Sequence, residues 1–178
     1  MKNNAVYRKL ELEDCTGDLL NGFNRYQEVK RCYRRENGVW VLREIAFVEQ
    51  WDKDEKLSKI SRLSDNIAKG GSVHGAFAGD LIGFSSVGNT LFGETREYLQ
   101  MELLHVSYEF RGQGIGKELF FRVCDDARAR GAKKLYISAG SSEETQGFYS
   151  SIGCVDAMKI EEELYAKEPF DRHMEFCL

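Results

Sequence analysis

Three groups of residues in this chain have types and spacing suited to chemistry: the run Arg111-Gly112-Gln113-Gly114-Ile115-Gly116-Lys117, the carboxylate Glu102 upstream of it, and the pair Phe148-Tyr149 downstream. A glycine-rich turn that opens a helix gathers free backbone N–H groups at the positive end of the helix dipole, which suits a phosphate. Glycine is needed there because a side chain would keep the backbone from the anion and because some positions need positive φ. Two nucleotide loops do not fit. A dinucleotide fingerprint begun at Gly112 needs its third glycine at Lys117, and a P-loop read back from Gly116-Lys117 needs glycine at Arg111 and Ser or Thr at Glu118. What remains is Arg-x-x-Gly-x-Gly on Arg111, Gly114 and Gly116. For the loop alone, the plain alternative is a helix-opening turn that binds nothing.

The elements around these residues follow from periodicity. Residues 5–12 (AVYRKLEL) read as a strand, and Glu36-Asn37-Gly38 between 30–35 and 39–44 reads as a hairpin turn. Leu57, Ile60, Leu63 and Ile67 recur at helical spacing between Trp51 and Lys69, ahead of Gly70-Gly71. A second hairpin, 72–78 with 81–87, brackets Gly79-Asp80, and a strand follows over 98–107. It runs into the glycine loop, behind which Leu119, Phe120, Val123, Cys124 and Ala127 mark one face of a helix ending near Gly131. A strand at 135–139 precedes a short helix carrying Phe148, Tyr149 and Ile152, for which Ser141 and Glu144 offer a capping box, and two strands are expected near 155–161 and 172–178. Hairpins first and a β-α-β-α unit later give an α/β domain, 1–178, whose mixed sheet carries helices on both faces.

Length and composition agree with one domain: 178 residues, 42% hydrophobic, one proline and no linker tract. A net charge of −4 supplies no basic surplus for nucleic acid or an anionic membrane. No apolar run spans a bilayer and the N-terminus has no signal-peptide core, so a cytoplasmic protein is expected. Cys15, Cys32, Cys124, Cys154 and Cys177 stand singly, without metal-ligand spacing to His74, His105 or His173, and read as reduced structural thiols rather than a zinc site or disulfide framework.

The stretch MELLHVSYEF leading into RGQGIG, followed by KKLYIS and ETQGFYSSIGC, resembles the GNAT superfamily, the GCN5-related N-acetyltransferases. The resemblance covers Tyr98 to about Val155, with weaker similarity in VHGAFAGDLIGF and none in the first seventy residues. It implies a GNAT-like, mostly antiparallel sheet, acetyl-CoA as cosubstrate and no metal. The loop from Arg111 through Gly112, Gln113, Gly114, Ile115 and Gly116 to Lys117 would hold the pyrophosphate on its backbone amides. Backbone groups of Leu104 and Val106 would pair with the pantetheine arm. Ser142 stands where many members have an asparagine that contacts that arm.

Acetyl transfer to an amine needs a group to take the amine proton, because a lysine-like amine, with a reference pKa of about 10.4, arrives charged. By strand alternation Gln100, Glu102, Leu104 and Val106 share one face and Met101, Leu103 and His105 the other. Glu102, the strand's only carboxylate, resembles a general base of the family; anchoring the acceptor ammonium is its alternative role. His105 reads as a core histidine. Tyr149 stands where the family places a phenol near the cofactor sulfur, and simple packing is its alternative. An acyl-cysteine route is disfavoured because no cysteine has a matched histidine in the sequence pattern, with Cys154 the one left open.

The resemblance implies an N-acetyltransferase acting by direct attack on a primary amine of a small cationic molecule. A protein N-terminal or lysine acetyltransferase and a non-catalytic acyl-CoA-binding module are the alternatives. Glu49, Glu102, Glu168 and Asp171 are candidates to line the acceptor pocket, and the 30–44 hairpin, with Tyr33 and Trp40, could cover it or only pad the sheet. A homodimer stays open.

Overall fold

Local sequence explains most of the elements in the computed structural model, which describes residues 4–178. Asp52 caps the first helix, α1 (Lys53–Ala68), by accepting from the Glu55 N–H while Glu55 returns a bond to the Asp52 N–H. Asn37 and Gly38 take φ of 49° and 82°, the left-handed pair that a two-residue hairpin turn requires, and so join β2 (Gln27–Glu36) to β3 (Val39–Glu49). Both strands run further than the sequence suggests.

The main sheet has seven strands in the order β1 (Val6–Lys9), β4 (Ser72–Ala78), β5 (Asp80–Val87), β6 (Tyr98–Val106), β7 (Lys134–Ala139), β9 (Arg172–Cys177) and β8 (Val155–Asp156). Every neighbouring pair is antiparallel except β6 with β7. Strand alternation buries both faces. Val73, Leu81 and Phe84 pack with Ile60 and Leu63 of α1, whereas Ala76 and Ile82 pack on the opposite face with Ile115 and Leu119 of α2 (Ile115–Ala129). Each such large side chain, fully buried, contributes about 1.5–3 kcal/mol. Gly83 allows α2 to come close: a Cβ there would sit 3.0 Å from Leu119 and 3.1 Å from Ile115.

Two expectations change. The cap of α3 (Glu143–Ser151) is Ser142, not Ser141, because the Ser142 hydroxyl is the one that accepts the Thr145 N–H. The strand expected over 155–161 stops at Asp156, and Glu162–Lys167 forms α4, whose first turn carries Glu162 and Glu163 where the helix dipole favours acids. No helix among the described residues is long and apolar enough to cross a membrane.

Candidate active site

The site is organised by an irregularity in β6. Ser86 pairs with Leu103 and Val87 with Met101, so Glu102 is the extra residue of a β-bulge. The bulge overturns the simple alternation: Met101 packs in the α2-side core with Leu104, while Leu103 packs with Phe84 and α1 on the other face. Counted through the bulge, Gln100 and Glu102 join Leu103 and His105 rather than Leu104 and Val106. The Glu102 carboxylate lies over Gly88, one oxygen 3.2 Å from where a Cβ there would sit, and has no hydrogen bond or ion pair among the described residues.

Beyond the bulge, β6 loses its partner on one edge. Its pairing with β7 ends at Met101 and Ile137. The Ser107 N–H bonds the Ile82 carbonyl at 2.8 Å, so by antiparallel alternation the backbone groups of Leu104 and Val106 face away from β5, into the opening that β7 has left. Arg111 Nε donates to the Val106 carbonyl at 2.9 Å. The Val106 N–H and both polar groups of Leu104 stay available to an extended ligand.

The glycine loop follows at the end of this opening. Gly112 and Gly114 have φ of 74° and 83°, and a Cβ on either would meet nothing within 4 Å. The first α2 N–H to bond back is that of Glu118, 3.0 Å from the Gly114 carbonyl. Consequently the N–H groups from Gly112 through Gln113, Gly114, Ile115 and Gly116 to Lys117 have no backbone acceptor among the described residues, and they cluster where the helix dipole is positive. An open-sided cradle of this kind fits a pyrophosphate.

On α3, Tyr149 is 7% exposed and packs between Phe120 and Phe148, with ring centroids 6.4 and 5.1 Å away. Burial, with the charge of Asp171 nearby, raises the phenol pKa, so the hydroxyl stays protonated. Asp171 in turn is pushed up to about 6 by burial and by the carboxylates of Glu168 and Glu49. The fold thus links Tyr149 electrostatically to Asp171, and Asp171 to Glu168 and Glu49, whose own carboxylate is ion-paired with Arg25; Glu102 projects from the bulge.

Two features are missing from the sequence reading. His105 packs as expected, its ring 4.8 Å from that of Trp51 and 5.5 Å from that of Phe84, but burial together with Arg25, Lys59, Arg111 and Arg62 drives its pKa well below the usual histidine value. It is a neutral imidazole on the face of Glu102. Only the bulge count could have signalled that. The β2–β3 hairpin, moreover, is a strap. Its base is fastened to the loop region by Tyr108 N–H to the Asn24 carbonyl and Arg111 to the Arg25 carbonyl, and mid-strand the Tyr33 N–H bonds the Ser141 carbonyl at 2.8 Å. Ser142, buried beneath it, accepts from Gln27 and from Thr145, so its hydroxyl is already engaged in capping.

A family model described as an acetyltransferase (GNAT) domain matches residues 43–167. Among solved structures, nourseothricin acetyltransferase is 19% identical with a TM-score of 0.69, covering 98% of this chain and 99% of that one. A Bacillus anthracis protein assigned as a streptothricin acetyltransferase, in complex with acetyl coenzyme A, is 16% identical with a TM-score of 0.71 and 99% of both chains covered. The PaiA N-acetyltransferase of Thermoplasma acidophilum, in complex with coenzyme A, is 16% identical with a TM-score of 0.59, covering 99% of this chain and all of that one. No curated protein matches the chain by sequence. At these identities the structures share the fold. With the glycine cradle, the opened β6 edge and a family model spanning more than half of the sequence, the chain belongs to the GNAT acetyltransferases, enzymes whose acetyl donor is acetyl-CoA.

Proposed function

We propose that residues 1–178 act as one domain that moves an acetyl group directly onto a primary amine of a small molecule presenting a cationic ammonium. The observation that carries this reading is Asp171, which senses the Tyr149 phenol and the carboxylates of Glu168 and Glu49, the last of them ion-paired with Arg25. Asp171 is half-buried, unpaired among the described residues and repelled by its two neighbours, so an incoming ammonium would relieve that repulsion.

Bound acetyl-CoA supplies the reactive thioester. The amides from Gly112 to Lys117 would hold its pyrophosphate, and Leu104 and Val106 would align its arm along the free edge of β6. Ser142 would reach it only by giving up part of its cap. Glu102 takes the amine proton, directly or through water, and Tyr149 holds its own proton ready for the sulfur. A covalent route through cysteine is disfavoured: burial pushes the thiols of Cys154 and Cys124 up to about 12, far from the reactive thiolate.

Acetyl-CoA and CoA are expected to raise the melting temperature, since a ligand at a hundredfold excess over Kd adds about 2.7 kcal/mol to native stability. Thiol release from acetyl-CoA across a panel of small amines, peptide N-termini and lysine peptides then tests the acceptor. Turnover of small amines supports the proposal; turnover of peptides alone, or of nothing while CoA binds tightly, overturns it.

Glu102→Gln is expected to lower kcat by about a hundredfold or more, most severely at low and neutral pH where the acceptor is most protonated. A rise in acceptor KM with kcat intact would make Glu102 an anchor instead.

A further inference from the structure

Beside Asp171 lies a cavity that none of these roles uses. It opens between the outer half of the β2–β3 strap and the β8–α4–β9 end of the sheet, with a volume of about 510 Å³, in the range of small-molecule sites. Its walls include Trp40, Met158, Tyr165 and Phe170. Phe170 is 64% exposed and Tyr165 47%, a large apolar lining left open to solvent.

Three polar features of this cavity keep hydrogen-bonding capacity or charge that the chain does not fully meet. The first is His173, only 5% exposed. The Tyr136 hydroxyl accepts the Glu161 N–H at 2.9 Å and lies 2.8 Å from His173 Nδ1, the one ring nitrogen in its reach, to which we assign its proton. That bond leaves the ring hydrogen on Nε2, because burial keeps the imidazole neutral. The Glu168 backbone carbonyl is close enough to the ring to oppose the lowering of its pKa, but it does not meet Nε2 with hydrogen-bond geometry, so Nε2 is buried without a well-formed bond. A buried donor of this kind calls for an acceptor.

The second feature is a pair of guanidinium groups. Arg34 lies over the Phe170 ring at 4.8 Å and donates only to the Tyr33 carbonyl and the Ser141 hydroxyl. Arg35 lies over Trp40 at 6.0 Å, and neither arginine has a carboxylate partner among the described residues. The third is Asp171, which also lines the cavity. Its carboxylate makes no ion pair among the described residues, and burial with the carboxylates of Glu168 and Glu49 pushes its pKa up. The cavity therefore offers unpaired charge of both signs around an aromatic middle.

Resting on the amine-acetylation reading above, we infer that this cavity binds the body of the acceptor, and that the acceptor is a zwitterion: an amine on an apolar or aromatic frame that also bears a carboxylate. The ammonium faces Asp171, on the side that senses the Tyr149 phenol. The carboxylate accepts the His173 Nε2–H and faces Arg34 and Arg35. The ring or chain between them packs against Trp40, Tyr165 and Phe170. Because β2 and β3 supply Arg34, Arg35 and Trp40, the strap becomes one wall of the acceptor site.

Three matched probes test this on the full chain with CoA or acetyl-CoA: para-aminomethylbenzoate, benzylamine and para-xylylenediamine, which share a frame and differ in the second group. The zwitterion is expected to show a KM about tenfold below the other two, the gain of a close charge pair. Arg35→Glu, at an exposed position, should close that gap, and Phe170→Ala should raise KM for all three. Equal KM values in the unaltered protein, or a preference that survives Arg35→Glu, would overturn the inference while leaving amine acetylation standing. Binding is read separately by saturation-transfer NMR with CoA present. If none of the probes is acetylated but saturation reaches the zwitterion and is weakened by Arg35→Glu and Phe170→Ala, the cavity assignment holds and the acetylation reading fails. Saturation that is absent or indifferent to both substitutions overturns the cavity assignment itself.

Discussion

Gly114→Val is expected to lower CoA affinity about a hundredfold, equivalent to ~2.8 kcal/mol, while the protein remains folded. Gly114 is the N-cap of α2 at φ 83°, and a Cβ there meets no protein atom within 4 Å. The substitution therefore creates no clash inside the chain. It places a branched side chain on the open side of the cradle, where a pyrophosphate would approach the amides of Gly112 to Lys117. The cost to the fold is backbone strain, roughly 1–2 kcal/mol for a side chain in the left-handed region, which lowers the melting temperature of a domain this size by about 2–8 °C. Calorimetric titration with CoA and a melting curve separate the two effects. Gly114→Ala, with the same strain and less bulk, should retain more affinity. A folded Val variant that binds CoA normally would remove this loop from the phosphate site.

Tyr149→Phe is expected to lower kcat by about 10²-fold to 10⁴-fold, with acetyl-CoA KM nearly unchanged. The ring keeps its contacts with Phe120 and Phe148, and the hydroxyl makes no hydrogen bond among the described residues, so the fold loses nothing. What disappears is a proton donor. Burial and the nearby charge of Asp171 raise the phenol pKa, so the hydroxyl stays protonated across the neutral and mildly alkaline range and should impose no alkaline loss of rate there. Steady-state kinetics with an active acceptor, from pH 6 to 9, gives the test, and a variant with unaltered kcat would leave Tyr149 a packing residue.

The glycine loop and the elements beside it were legible in the sequence because their signals are local. Arg111, Gly112, Gly114 and Gly116 are near neighbours in the chain, and the positive φ of Gly112 and Gly114 and the bare helix end follow from a few consecutive residues. The same holds for Asn37-Gly38, whose left-handed pair sets the strap's turn wherever the strap lies. The cap of α3 is displaced by one residue from the expected Ser141, since Ser141 and Ser142 are equally able to cap and packing under β2 selects the second.

What the sequence by itself determined, then, is the glycine turn that opens α2, most of the strands and helices in their order, and the family to which they belong. Tertiary structure decided which residues share a face. A period-two count along β6 assumes an uninterrupted strand, and the bulge at Glu102 breaks it, placing Glu102 with His105 rather than with Leu104. Tertiary structure alone also brought Glu49 to Asp171, and Arg34 and Trp40 to His173, across more than a hundred residues of chain. Glycine geometry is fixed by bonded neighbours and so is written locally. An acceptor site assembled from unpaired charges exists only after the sheet has closed and the strap has been fastened across it, because its energetics depend on burial and on distances that no local pattern encodes.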